Sequence, residues 1–62
     1  MIFTELELAI EEGDFLSRND DQKYYLIHDG KVYRLITFQE RKNLGLEDLP
    51  VLEIFRPYYT YI

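Results

Sequence analysis

Residues 23–38 read KYYLIHDGKVYRLITF. Two runs rich in branched and aromatic residues flank Asp29-Gly30, and that dipeptide is a strong signal for a tight β-hairpin. A type I′ turn needs positive φ at both central positions, which Asp and Gly tolerate. Such a turn predicts strands over Lys23–His28 and Lys31–Ile36. It sets His28 opposite Lys31, Ile27 opposite Val32, Leu26 opposite Tyr33, Tyr25 opposite Arg34 and Tyr24 opposite Leu35. One face then carries Tyr24, Leu26, Tyr33 and Leu35. The other carries Tyr25, Ile27, Val32 and Ile36, with Arg34 beside Tyr25 as a cation–π partner. Both faces are half apolar, whereas a one-sided antiparallel sheet alternates cleanly. Something has to cover each of them.

The chain offers little material for that. Its 62 residues make one domain with no cysteine and one histidine. Disulfides and thiolate zinc sites are excluded, and a single core at this size rarely contributes more than ~3–5 kcal/mol. Hydrophobic residues make up 47% of the sequence, too many for a disordered chain. No run is long enough to span a membrane and no signal peptide is evident, so a cytoplasmic setting is expected.

Upstream, Thr4 and Glu7 stand at capping-box spacing, and Phe3 with Leu8 suits a hydrophobic staple. Gly13 falls where a left-handed C-cap belongs. These signals favour a helix over 5–12, with Leu6, Ala9 and Ile10 as its apolar stripe. The alternation of Leu6, Leu8 and Ile10 with Glu5, Glu7 and Ala9 also fits a strand. Residues 15–18 read as a short strand, and Asn19-Asp20-Asp21 as a turn able to adopt left-handed angles. Downstream, Thr37 and Glu40 repeat the capping-box spacing and Gly45 follows. A short helix at 38–44 fits, as does an extension of the hairpin through Phe38. Residues 46–50 read as a loop and Val51–Arg56 as a strand. Pro57 marks it as an edge or a bend. The tail Tyr58-Tyr59-Thr60-Tyr61-Ile62 is aromatic enough to require docking. The expected architecture is α+β: an N-terminal helix on one face of a small antiparallel sheet of three or four strands. The other face is left to the tail, a second subunit or a foreign protein, so a homo-oligomer is expected.

Catalytic patterns are missing. Nucleophilic catalysis needs a nucleophile, a base and an orienting group. Ser17 and His28 stand in no such motif, and His28 reads as a solvated residue at the hairpin end. No glycine-rich phosphate loop exists, and Asn19-Asp20-Asp21 lacks calcium-loop spacing. No enzyme activity, cofactor or metal is expected.

Charge points to a partner instead. Residues 1–21 hold seven acids against one base, a balance of −6, while residues 22–62 hold five acids against six bases. Lys23, Tyr24, Tyr25, Lys31, Tyr33 and Arg34 interleave basic and aromatic side chains as single-strand binders do. The acidic opening, however, would repel phosphates. The expectation is a protein partner, with direct nucleic-acid binding disfavoured. Tyr24, Leu26, Tyr33 and Leu35 would supply its apolar anchor, and Glu5, Glu7, Glu11 and Glu12 would steer association with a basic surface. Acidic side chains on a small rigid domain can also imitate DNA phosphates.

Two stretches carry a resemblance. FTELELAIEEGDFLSR, residues 3–18, resembles the helix, Glu-Glu-Gly and strand that open many small phage proteins. Among these is a family that sequesters immune signalling nucleotides. DDQKYYLIHDG, residues 20–30, is similar to the acidic turn and paired tyrosines of phage inhibitors of uracil-DNA glycosylase, which are small dimeric DNA mimics. The resemblances imply a phage or mobile-element inhibitor of a host or defence protein, in one form a nucleic-acid-binding protein. A rival reading is a small oligomer that sequesters a ligand such as a nucleotide between subunits, using Tyr25, Arg34 and the terminal tyrosines. A structural subunit of a larger assembly is a third reading.

Overall fold

A computed structural model describes residues 1–57. The elements run β1 (Ile2–Phe3), α1 (Leu6–Asp20), β2 (Tyr24–His28), β3 (Tyr33–Thr37), α2 (Phe38–Asn43) and β4 (Val51–Phe55). The four strands form one sheet in the order β1-β3-β2-β4, with every neighbour antiparallel. The α+β expectation holds. The aromatic tail after Pro57 lies outside the described residues.

The central pair β2–β3 differs from the tight hairpin. Leu26 faces Leu35, Tyr25 faces Ile36, Ile27 faces Arg34 and His28 faces Tyr33. The register is displaced by two residues because the connection spans Asp29–Val32 rather than Asp29-Gly30 alone. Gly30 has φ +99°, but Asp29 does not share the positive φ that a type I′ turn demands. The Asp29 side chain organises the longer loop instead. Its Oδ1 accepts from the backbone N–H groups of Lys31 (3.0 Å) and Val32 (3.1 Å), and its Oδ2 accepts from Arg34 Nε at 2.7 Å. A two-residue displacement preserves side-chain parity, so the membership of the two faces survives the error. The cation–π pairing of Tyr25 with Arg34 does not: Arg34 turns back to Asp29.

Helix α1 runs through both the C-cap and the short strand expected from the sequence. Gly13 lies inside it and is buried. A Cβ at Gly13 would sit 2.5 Å from the Phe55 ring. The glycine therefore serves a close approach between α1 and β4, not a helix end. Ala9, Gly13 and Ser17, four residues apart, are the fully buried positions of α1. Small side chains along one stripe let the helix axis lie close to the sheet. Continuation past Gly13 brings Leu16 onto the core, which a strand at 15–18 would not do. Buried Ser17 satisfies its hydroxyl by donating to the Asp14 carbonyl. The left-handed residue that ends the helix is Asp21, φ 58°. At the other end, Thr4 and Glu7 form no capping box; Glu5 is the N-cap and its side chain caps nothing. Phe3 is drawn into β1, opposite Tyr33, and that pairing outcompetes the local cap.

α1 covers the face that carries Tyr24, Leu26 and Leu35. With Ala9 and Phe55 these build the core, and Phe3, Leu16 and Tyr33 close its margin. Leu26 and Leu35 are essentially inaccessible. Each such side chain contributes about 1.5–3 kcal/mol on burial. On the opposite face Ile27 and Ile36 are buried, while Ile2 and Phe38 remain exposed. α2 follows β3 without a break, and its Phe38 and Arg41 lie against Tyr25 on that face.

Of the two readings of 38–44 the helix is the one present, with both capping-box hydrogen bonds, Glu40 N–H to Thr37 Oγ1 and Thr37 N–H to Glu40 Oε1. It ends at Gly45, φ 68°, where Gly45 N–H bonds to the Lys42 carbonyl and Leu46 N–H to that of Arg41. These two bonds make a Schellman motif. Strand β4 is an edge, as Pro57 suggested. Between its Glu53–Leu26 and Val51–Ile27 pairs, Leu52 is the extra residue of a β-bulge. Bulge, charge and flanking proline all discourage pairing with another sheet edge.

Candidate functional site

The outer side of α1 is where charge and uncovered apolar surface coincide. A helix turns 100° per residue. Once Ala9, Gly13 and Ser17 face the sheet, Glu7, Glu11, Asp14 and Arg18 project away from it, and all four are exposed. Leu8 and Phe15, seven residues apart, fall within about 20° of each other and roughly 10.5 Å apart along the axis. They are 50% and 56% exposed. Leu6 and Ile10 flank the other side, about 40% exposed. Glu5, Leu6, Glu7, Leu8 and Glu11 together line a shallow open depression of about 430 Å³. Glu12 is half-buried. The Asp14–Arg18 ion pair, 3.0 Å and largely exposed, spans one turn of the same surface. Exposed i,i+4 pairs of this kind contribute only a few tenths of a kcal/mol.

The four acids expected to steer a partner, Glu5, Glu7, Glu11 and Glu12, thus belong to one helix and its cap. The apolar anchor expected from the hairpin does not join them. Tyr24, Leu26 and Leu35 are core residues beneath α1, and Tyr33 is packed at its margin. Tyr24, Leu26 and Leu35 are shielded from a partner in the folded domain, and Tyr33 is half-buried. Leu8 and Phe15 are the apolar side chains exposed beside these acids, and the sequence reading singled out neither as an anchor. Treating Gly13 as a helix end hid the heptad spacing of Leu8 and Phe15. The spacing of Ala9, Gly13 and Ser17 was the available signal, since it marks the inner stripe from which the outer flank is found.

The two ends of the core carry the perturbed ionisable groups. The Tyr24 hydroxyl donates to Asp20 Oδ2 at 2.6 Å and ties the C-terminus of α1 to the start of β2. That hydrogen bond, then burial and the negative charges of Asp20 and Glu40, push the phenol up to about 12. At the hairpin loop, the Arg34 guanidinium and then the Val32 and Lys31 N–H groups hold the Asp29 carboxyl far below the usual carboxylate range. His28 accepts from Gly30 N–H through Nδ1 and its ring lies 4.6 Å from that of Tyr33. It is a hairpin-end residue, but half-buried rather than fully solvated.

The basic and aromatic residues of the ribbon are divided by the fold. Tyr24 points into the core and Tyr25 to the opposite face. Tyr25 is sandwiched by contacts to Phe38 (6.4 Å between ring centroids) and the Arg41 guanidinium (5.5 Å). Arg34 is engaged by Asp29. No continuous aromatic–basic track for a single strand results among the described residues, and the two residues named there for a nucleotide pocket are both taken up by contacts inside one chain. Among the described residues, no three His, Cys, Asp or Glu side chains converge as metal ligands. No described helix is long and apolar enough to cross a membrane. Comparison of the chain with protein-family models, with curated proteins and with solved structures found no match to any of them.

Proposed function

We propose that this domain is a non-catalytic protein-binding module that acts by occupying a basic surface of its partner through the outer face of α1. The observation that carries the reading is the joint exposure of Leu8 and Phe15 beside the carboxylates of Glu7, Glu11 and Asp14. Apolar side chains supply contact energy only when a partner removes them from water. Carboxylates around them select a basic partner and raise its association rate. On the opposite face of the sheet Ile27 and Ile36 are buried while Ile2 and Phe38 stay exposed, so the outer face of α1 is where exposed apolar side chains and carboxylates occur together.

The resemblances of residues 3–18 and 20–30 to phage inhibitors make a host or defence protein the natural target, with nucleic-acid-binding proteins first among the basic ones. The first resemblance stops short of residues 15–18, which are helical here and not a strand. Acidic mimicry of DNA is one form of the proposed occupation.

The test is a binding isotherm for the purified target captured by the immobilised domain, repeated across salt. Binding should weaken steeply between about 50 and about 500 mM salt as screening shortens. Glu7→Lys with Glu11→Lys should weaken it at least tenfold, and Lys31→Glu at the hairpin loop should leave it nearly unchanged. Salt-independent binding, or equal loss from both variants, would refute the assignment of the face. A nucleotide panel run by thermal shift checks the rival: a ligand at 100 times its Kd stabilises by about 2.7 kcal/mol. Such a shift would replace the proposal.

A further inference from the structure

If α1 is the contact surface, the reading on which this proposal rests, the chemistry of its outer face narrows the kind of partner. Leu8 and Phe15 are separated by one heptad and lie on one flank of a 15-residue helix. Residues so spaced occupy the same seam position in successive heptads of a helix pair, with Glu11 at the other seam position between them, and the positions beside a seam set partner choice. With Leu8 and Phe15 as seam positions, the flanking positions are Glu7, Glu12 and Asp14, and Glu11 stands between the two apolar residues one turn on. All four are acidic. We propose that α1 pairs with an amphipathic basic helix of its partner, two turns long at the contact, and that it does not pair with a second copy of itself. In a parallel pair Glu7 would meet Glu12 of the other copy. In an antiparallel pair Glu11 and Glu12 would meet each other. Both arrangements set like charges together, which is destabilising. Neither nucleic acid nor an anionic membrane escapes the same repulsion. The other elements of this chain offer no substitute basic helix among the described residues: α2 sets Arg41 and Lys42 against Glu40, and Arg41 is committed to Tyr25 and the Glu47 carbonyl.

The domain itself supplies the probe. The triple variant Glu7→Lys, Glu11→Lys, Glu12→Lys keeps strong helix formers at all three positions. It carries the basic amphipathic helix that the face should accept. Isotopically labelled wild-type domain is titrated with the unlabelled variant and followed by amide chemical shifts, with circular dichroism showing that the variant is folded. The expected result is saturable shifts confined to the outer side of α1, centred on Leu8, Glu11 and Phe15. Raising salt to about 0.5 M should weaken the association at least tenfold. A variant that also carries Leu8→Ser and Phe15→Ser should give no shifts. Labelled wild type titrated with unlabelled wild type should give none either. Absence of shifts with the folded triple variant, shifts centred elsewhere, or self-association through Leu8 and Phe15 would overturn the proposal. If these shifts are absent while target binding remains sensitive to Glu7→Lys with Glu11→Lys, helix pairing falls and the binding function stands. If target binding is also indifferent to that charge reversal, both fall.

Discussion

The two helices are held by opposite means. α2 is six residues long, buries none of its side chains, and is capped at both ends by its own sequence: Thr37 and Glu40 at the start, Gly45 and Leu46 at the end. α1 is fifteen residues long, has no side-chain cap at its start, and is positioned by a distant residue, Phe55 against Gly13. The contrast separates structure encoded within a few residues from structure encoded across most of the chain. Burial dominates the second kind, and it overrides a glycine whose helix propensity is about 1 kcal/mol worse than that of alanine.

The contrast can be pressed experimentally by urea unfolding, beginning where the effect is greatest. Phe55→Ala should cost about 3–5 kcal/mol, comparable to the whole margin of a domain this small. Gly13→Ala should destabilise by about 1–3 kcal/mol despite the propensity gain, because its Cβ meets the Phe55 ring. The Gly13→Ala, Phe55→Leu pair should show a coupling of about 0.5–3 kcal/mol. A stabilised Gly13→Ala would show that α1 does not approach β4 at this point.

Next comes Tyr24→Phe, which removes a hydrogen bond to a carboxylate and should cost roughly 1–2 kcal/mol at neutral pH. The pH dependence has a definite sign. The folded phenol titrates near 12, above the ordinary value of about 10. Its stabilisation is therefore complete below about pH 10 and lost as pH rises toward 12. Tyr24→Phe should abolish that alkaline loss. Thr37→Ala should cost about 1 kcal/mol, mostly by fraying α2, with α1 amides unchanged. Asp29→Asn is the smallest at neutral pH. Its wild-type carboxyl is depressed in the fold, so its contribution is present above about pH 4 and lost as pH falls toward the folded value. Wild type and variant should converge in acid.

Legibility in the sequence followed the same division. α2, its capping box and its glycine stop were readable because each signal lies within a turn or so of its partner. The two hairpin faces were readable because side-chain parity is local, and they survived a loop two residues longer than expected. The full extent of α1 was not, because Gly13 looks like a stop until Phe55 is placed against it. β1, two residues long, carries no pattern of its own. The candidate site split along the same line. Glu5, Glu7, Glu11 and Glu12 were evident as a charge cluster. Leu8 and Phe15 became visible as neighbours only when the helix continued through residue 13.

The continuity of α1 is the claim on which both fold and binding face depend. Backbone chemical shifts and amide exchange over residues 6–20 test it most directly. The expected result is unbroken helical shifts from Leu6 to Asp20, with Gly13 and Leu16 amides among the slow exchangers and cross-relaxation between Gly13 Hα and the Phe55 ring. A helix that stops at Gly13, followed by extended shifts at residues 15–18, would contradict it.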